Sequence, residues 1–237
     1  SGSASALATA LDGTITDNGG NAFYGNITID DADGESVTAT TLSAIGGATT
    51  GTVTVTNAIA ISGTADQVTA ALVTEDTKVA VTDPTVTISD NPSITALNNI
   101  AGATTGVVTA TLASSSITDL ASLDTASTDV ITVAVSDTPT ITQLNTLSGK
   151  TAGVVTATLA ADSLSNLGDL TTAGTDAITI TVNDADAAAV TAANLSALGG
   201  KTAGTVTVTN AVAISGTAAQ VTAALVTTDT LVVVSDA

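Results

Sequence analysis

The 237-residue sequence has no cysteine, histidine, arginine, tryptophan or methionine, and its only aromatics are Phe23 and Tyr24. Without cysteine there are no disulfides, thiolate metal sites or thiol nucleophiles. Without histidine, the side chain that most often shuttles protons near neutral pH is missing. The only basic side chains are Lys78, Lys150 and Lys201, set against 22 acidic residues, for a net charge of −19. Phosphate binding draws its affinity from Lys and Arg, so nucleic acid is excluded as a partner and an anionic membrane surface is disfavoured. A carboxylate pair could hydrolyse a glycosidic bond, but the chain offers a sugar almost no aromatic platform, so no enzyme is expected. No apolar run approaches the ~20 residues of a membrane span, because Thr, Ser and Asp interrupt each one; no membrane insertion is expected. No signal peptide is visible, and Ser1-Gly2-Ser3 reads as a cut end.

The chain is nonetheless 44% apolar and only 11% charged, a balance that folds. Its apolar residues are almost all Ala, Val, Leu and Ile, which suit a thin, layered core between stacked backbones.

What is abundant is repetition. The phrases TTGTVTVTN (49–57), TTGVVTATL (104–112), TAGVVTATL (151–159) and TAGTVTVTN (202–210) align on Gly51, Gly106, Gly153 and Gly204, spaced 55, 47 and 51 residues apart. Residues 36–74 and 189–227 match at 31 of 39 positions without a gap. The unit is therefore about 50 residues and splits into two halves. One half opens with β-branched runs bounded by aspartate, such as Asp129-VITVAVS-Asp137 and Asp176-AITITVN-Asp184; the other opens at the anchor glycine with V-T-x-T. Leu and Ile follow at intervals of three, at 94/97/100, 117/120/123, 141/144/147 and 164/167/170, the spacing of one face of a short helix. Asp90 and Asp137 precede Pro92 and Pro139 at expected helix starts, and Gly102, Gly149 and Gly200 stand where a left-handed C-cap is expected.

The pattern predicts an α/β repeat solenoid, with parallel strands on one wall and short helices on the other, 23–30 residues per coil in a roughly 50-residue double repeat. Residues 1–25 are expected to be an N-terminal cap, with ASALATAL as a helix over the first coil, or else an irregular lead-in. Residues 26–237 are expected to form a single solenoid of double units 26–76, 77–129, 130–176 and 177–229, with a partial unit at 230–237 whose last strand looks cut. Two strand-like pieces flanking Pro84 predict an inserted bulge or loop in one coil.

Two sets of residues are candidates for function. Period-two alternation turns Thr54, Thr56, Thr109, Thr111, Thr156, Thr158, Thr207 and Thr209 outward, and Val53, Val55, Val108, Ala110, Val155, Ala157, Val206 and Val208 inward. Outward T-x-T arrays resemble those of ice-binding β-solenoids, although Thr also suits any solvated sheet face. Aspartates form two ladders, Asp76, Asp129, Asp176 and Asp229 before the strands, and Asp31, Asp83, Asp137, Asp184 and Asp236 after them. They suit helix caps and turns. They also make Ca²⁺ the one cofactor the chain invites, with Asp30, Asp31, Asp33 and Glu35 of DDADGE and its copy Asp184 and Asp186 as candidate ligands. None is required.

The strings VTVTNAVAISGTAAQVTAALVTTD and VTATLAADSLSNLGDL resemble the Ala/Thr/Asp-rich repeats of very large bacterial surface and secreted proteins and of fibre-like virion proteins of cyanobacterial phages. The resemblance spans residues 26–237 and implies an extended element on a cell or virion surface, akin to surface-layer proteins and adhesin stalks. Its partners would be further repeats or other copies of the chain, or an unidentified surface lattice. It carries no functional residue over position by position.

Overall fold

The computed structural model describes residues 1–11, 24–74, 78–226 and 232–234. Phe23, Asp76, Asp229 and Asp236 lie outside the described residues. Two compact units are distinguished: residues 1–113 with 123–131, and residues 114–122 with 132–237.

The first unit runs α1 (Ala4–Leu11), β1 (Ile27–Ile29), β2 (Ser36–Thr38), α2 (Ala39–Gly47), β3 (Val53–Val55), β4 (Ala60–Gly63), α3 (Ala65–Leu72), β5 (Val79–Val81), β6 (Thr85–Ile88), α4 (Ile94–Gly102) and β7 (Val108–Thr111). Its strands form two parallel sheets, β1-β3-β5 and β2-β4-β6-β7. The second runs α5 (Ile117–Leu120), β8 (Val130–Ala134), α6 (Ile141–Ser148), β9 (Val155–Thr158), α7 (Leu164–Leu167), β10 (Ala177–Val182), β11 (Ala189–Thr191), α8 (Ala192–Gly199), β12 (Val206–Val208), β13 (Ala213–Ser215), α9 (Ala218–Leu225) and β14 (Val232–Val234). Here β8-β9-β10-β12-β14 and β11-β13 pair, again in parallel. The fold is α/β, with alternating parallel strands and helices and, among the described residues, no closed barrel.

Registers advance by nearly constant steps: Ile27 lies opposite Val53 and Val53 opposite Val79, a step of 26, while Val133 lies opposite Val155, a step of 22. Each strand thus pairs with one a strand-and-helix segment further on. In each unit the core is the inward residues of the strands and the inner faces of the helices: Ile29, Ile61 and Ile131 with Leu42, Ile45, Leu97 and Ile100 are fully buried in the first, and Leu120, Leu144 and Leu167 in the second. Small β-branched residues on strands and Leu at helical spacing fill this layer without aromatics, as the composition requires.

Four sequence expectations are revised. Segments carry two short strands in several places, not one, and the pair around Pro84 is this same pattern in β5 and β6 and not an inserted bulge or loop. Three of the corners between the two successive short strands of a segment, which pair with other strands and not with each other, are made by a residue with positive φ: Gly34 (73°) after β1, Asp83 (47°) after β5 and Ala187 (58°) after β10. Gly149 (φ −70°) and Gly200 (φ −69°) end their helices in the right-handed region, and Gly102 is itself the last residue of α4, so none is a left-handed cap. Asp83 sits in a corner, accepting from the Thr105 hydroxyl, and Asp90 takes its place in the ladder.

Helix starts are written in Ser and Thr. Thr38, Thr64, Ser93, Ser116, Thr140, Ser163, Thr191 and Thr217 each accept a hydrogen bond from the backbone N–H three residues on, and Gln67, Gln143 and Gln220 complete capping boxes. α1 forms as expected over ASALATAL; Gly2 bridges to Ile29 and α1 packs against α2.

Candidate functional site: side chains that link successive segments

Many aspartates of the candidate sites are engaged with the backbone of the neighbouring segment, and of the candidate threonines Thr56 and Thr209 donate to the Ile29 and Val182 carbonyls (both 3.2 Å). The second aspartate ladder shows this most regularly. Asp31 accepts from the N–H of Ala4 (2.6 Å), Asp90 from Ala65 (2.8 Å), Asp137 from Ile117 (2.8 Å) and Asp184 from Leu164 (2.7 Å). Those four donors are the first residues of α1, α3, α5 and α7. Each aspartate therefore caps a helix that began 20 to 27 residues earlier, placing a carboxylate at the positive end of its dipole.

Of the first ladder, Asp129 and Asp176 are buried, 3% and 1% exposed. Asp129 accepts from the N–H of Val108 (2.8 Å) and of Ala126 (2.9 Å). Asp176 accepts from the N–H of Val155 (2.9 Å) and Ala173 (3.1 Å) and from the Ser148 hydroxyl (2.8 Å). Both hold the first N–H of a strand in the adjoining segment and close their own turn with the other oxygen.

The candidate calcium residues fall into the same scheme. Asp33 accepts from the N–H of Ala58 (3.0 Å), and Asp186, its duplicate, from Ala211 (3.3 Å). The carbonyls of Asp31 and Asp184 each accept from an asparagine amide, Asn57 and Asn210 respectively, both at 2.6 Å. Asp30 and Glu35 flank these contacts. Among the described residues no three acidic side chains converge as a metal site.

The eight threonines of the outward ladder face as alternation requires: Thr109 and Thr207 are half-buried and the other six exposed, while all eight intervening Val and Ala are buried. The structure aligns a different hydroxyl row more completely, with Thr38, Ser62, Thr87 and Thr109 at one register across β2, β4, β6 and β7.

Two further sets were not singled out from the sequence. The first is the threonine two residues before each anchor glycine. Thr49 donates to the Gly25 carbonyl (2.6 Å), Thr104 to that of Pro84 (2.7 Å) and Thr202 to that of Ile178 (2.7 Å). Thr49, Thr104, Thr151 and Thr202 all accept the N–H of their glycine. The signal was present in the T-x-G that opens all four phrases. The second set is the lysines: Lys150 Nζ donates to the Ala121 carbonyl (2.8 Å), Lys201 Nζ to that of Gly168 (2.5 Å) and Lys78 Nζ to that of Thr49. Ala121 and Gly168 cap the C-termini of α5 and α7, and Thr49 lies just past α2, so the three cations sit at negative helix ends.

A recess of about 510 Å³ lies between α1 and α2, lined by Ala8, Thr9, Leu11, Thr40, Thr41, Ala44, Ile45 and Ala48, none of them ionisable. No helix among the described residues is long and apolar enough to cross a membrane. Comparison with family models, with curated proteins and with solved structures finds no match.

Proposed function

We propose that the chain is an α/β repeat solenoid whose strand-and-helix segments are stacked coils, and that it serves as a structural rod or spacer in a large extracellular protein of a cell or virion surface. The observation that carries this reading is the direction of the links. Asp31, Asp90, Asp137 and Asp184 each reach back to cap the helix of the coil before, at the same place in each coil. Charges spent in this way hold neighbours in register and leave little for chemistry. Stability then accumulates from nearest-neighbour contacts, which suits a part that must be long and stiff. Its partners are further coils or other copies of the chain. Small-angle scattering of the chain and of a tandem duplication tests the proposal. The maximum dimension should grow by about 4.8 Å per added coil at constant cross-section. Growth in cross-section would refute it.

The hydroxyl row Thr38, Ser62, Thr87 and Thr109 favours a second reading, a face that adsorbs to ice or another regular lattice. Thr38 is already occupied as the cap of α2, which shortens the free row. Thr87→Val with Thr109→Val should abolish adsorption to ice with little change in melting if this reading holds. On the spacer reading there is no adsorption to lose.

A further inference from the structure

Over their described residues, 36–73 and 189–226, the duplicated stretches fold alike: β2, α2, β3, β4 and α3 recur as β11, α8, β12, β13 and α9. Their surroundings differ. In the first copy β6 pairs with β4, and α4 packs on α3. Among the described residues, β13 pairs with β11 alone.

Burial records the difference residue by residue. Ile61, Ala65 and Val68 are buried in the first copy, whereas Ile214 and Val221 are half-buried and Ala218 is exposed. Val73 is half-buried, and its counterpart Val226 is 70% exposed. Polar groups follow suit. The carbonyl of Ile59 accepts from Thr85 N–H (3.2 Å), the carbonyl of Gly63 from Ser89 N–H (2.9 Å), and Ala65 N–H donates to Asp90 (2.8 Å). The corresponding carbonyls of Val212 and Gly216 and the N–H of Ala218 meet no such partner among the described residues. Among the described residues, α9 is also the one odd-numbered helix whose first N–H meets no aspartate from another segment.

We infer that the outer face of β13 and α9 is a receiving surface for one further strand-and-helix coil with an aspartate between strand and helix, of the kind formed by Thr85–Gly102. The first copy supplies the template: a strand laid parallel to β13, its Val and Ile over Ile214, its aspartate on the Ala218 N–H, and its helix over Val221. This is strand addition joined to a helix cap supplied from outside. Only a coil that has both the apolar alternation and the acid at the right offset satisfies the face. The inference rests on the stacked-coil reading and adds the chemistry of the next partner.

The test appends a copy of residues 85–103 to the C-terminus of the full chain and measures amide hydrogen exchange. The amides of Ile214 and Ala218 should slow by at least about fivefold, the equivalent of one backbone hydrogen bond. With Asp90→Ala made in the appended copy only, protection at Ala218 should be lost and that at Ile214 kept. The internal amides of Ile61 and Ala65 are the reference. If these are protected while Ile214 and Ala218 stay unprotected in the extended chain, the receiving surface is refuted and the stacked reading survives. If the reference amides exchange freely as well, the stacked reading itself fails. Protection of Ile214 and Ala218 in the unextended chain that rises with protein concentration would assign the face to a second copy and overturn the inference.

Discussion

Asp176 is the residue where composition and architecture meet most directly. It is 1% exposed in a chain of net charge −19, and three donors surround its carboxylate. Leaving those donors facing a methyl group removes charge-assisted bonds at a buried site, so Asp176→Ala should lower stability by about 3 kcal/mol or more in urea unfolding. Asp30→Ala, with no such set of donors, should stay within about 0.5 kcal/mol of the parent. The anchor glycines make a second contrast. Their φ is not positive; their role is closeness. A Cβ on Gly51 would lie 2.7 Å from the Gly25 carbonyl oxygen, and one on Gly106 or Gly204 would press on the carbonyls of Pro84 or Ile178. Gly204→Ala should therefore cost about 1–3 kcal/mol through forced backbone movement. Gly102→Ala, at the last residue of α4 with nothing within 4 Å, should gain about 0.4–1 kcal/mol by restricting the unfolded chain. Thermal or denaturant melts of the two variants, moving in opposite directions, check both statements.

At the scale of the element, helix ends depend on two sources of capping. The local source is Ser or Thr at the N-cap, as in Thr140 with Gln143; the remote source is an aspartate or lysine from another segment. Thr140→Ala should cost about 1 kcal/mol irrespective of salt. Lys201→Met should cost about 0.3–1 kcal/mol at low ionic strength and progressively less as salt rises, since the Nζ acts on the C-terminus of α7. Strands and helices themselves were legible from sequence. The Leu and Ile triplets located α4, α5, α6 and α7, V-T-x-T located β3, β7, β9 and β12, and the inward Val and Ala followed from alternation. Boundary chemistry was legible in type but not in address. Aspartate could be read as a cap, but Asp90 contacts Ala65 across 25 residues, a distance in sequence that only the register of parallel pairing sets. Pairs of short strands escaped reading because three residues such as Ser36–Thr38 are too few to display a period. The buried Thr of T-x-G was hidden for the opposite reason: Thr is so common here that one functional subset does not stand out by composition.

For the molecule as a whole, 22 acidic and three basic side chains make self-repulsion a standing destabilising term. Raising NaCl from about 0.01 M to 0.15 M shortens the screening length from about 30 Å to about 8 Å, so the melting temperature should rise over that range. Since Asp31, Asp33, Asp184 and Asp186 already hold backbone N–H groups, millimolar Ca²⁺ should act only as ionic strength. Melts by circular dichroism in EDTA and in Ca²⁺, matched for ionic strength, should coincide. A sharp rise specific to Ca²⁺ would show that the acidic turns bind the ion at the expense of those contacts.

The backward reach of the aspartates also has a bearing on time. A ribosome delivers residues in order, so the N–H of Ala65 emerges 25 residues before Asp90 does, and that of Ile117 emerges 20 residues before Asp137. Each of these helices is finished by a part still inside the exit tunnel when the helix itself leaves it. Folding during synthesis must then trail translation by about one turn of the pattern, with the newest turn always provisional and the one behind it locked.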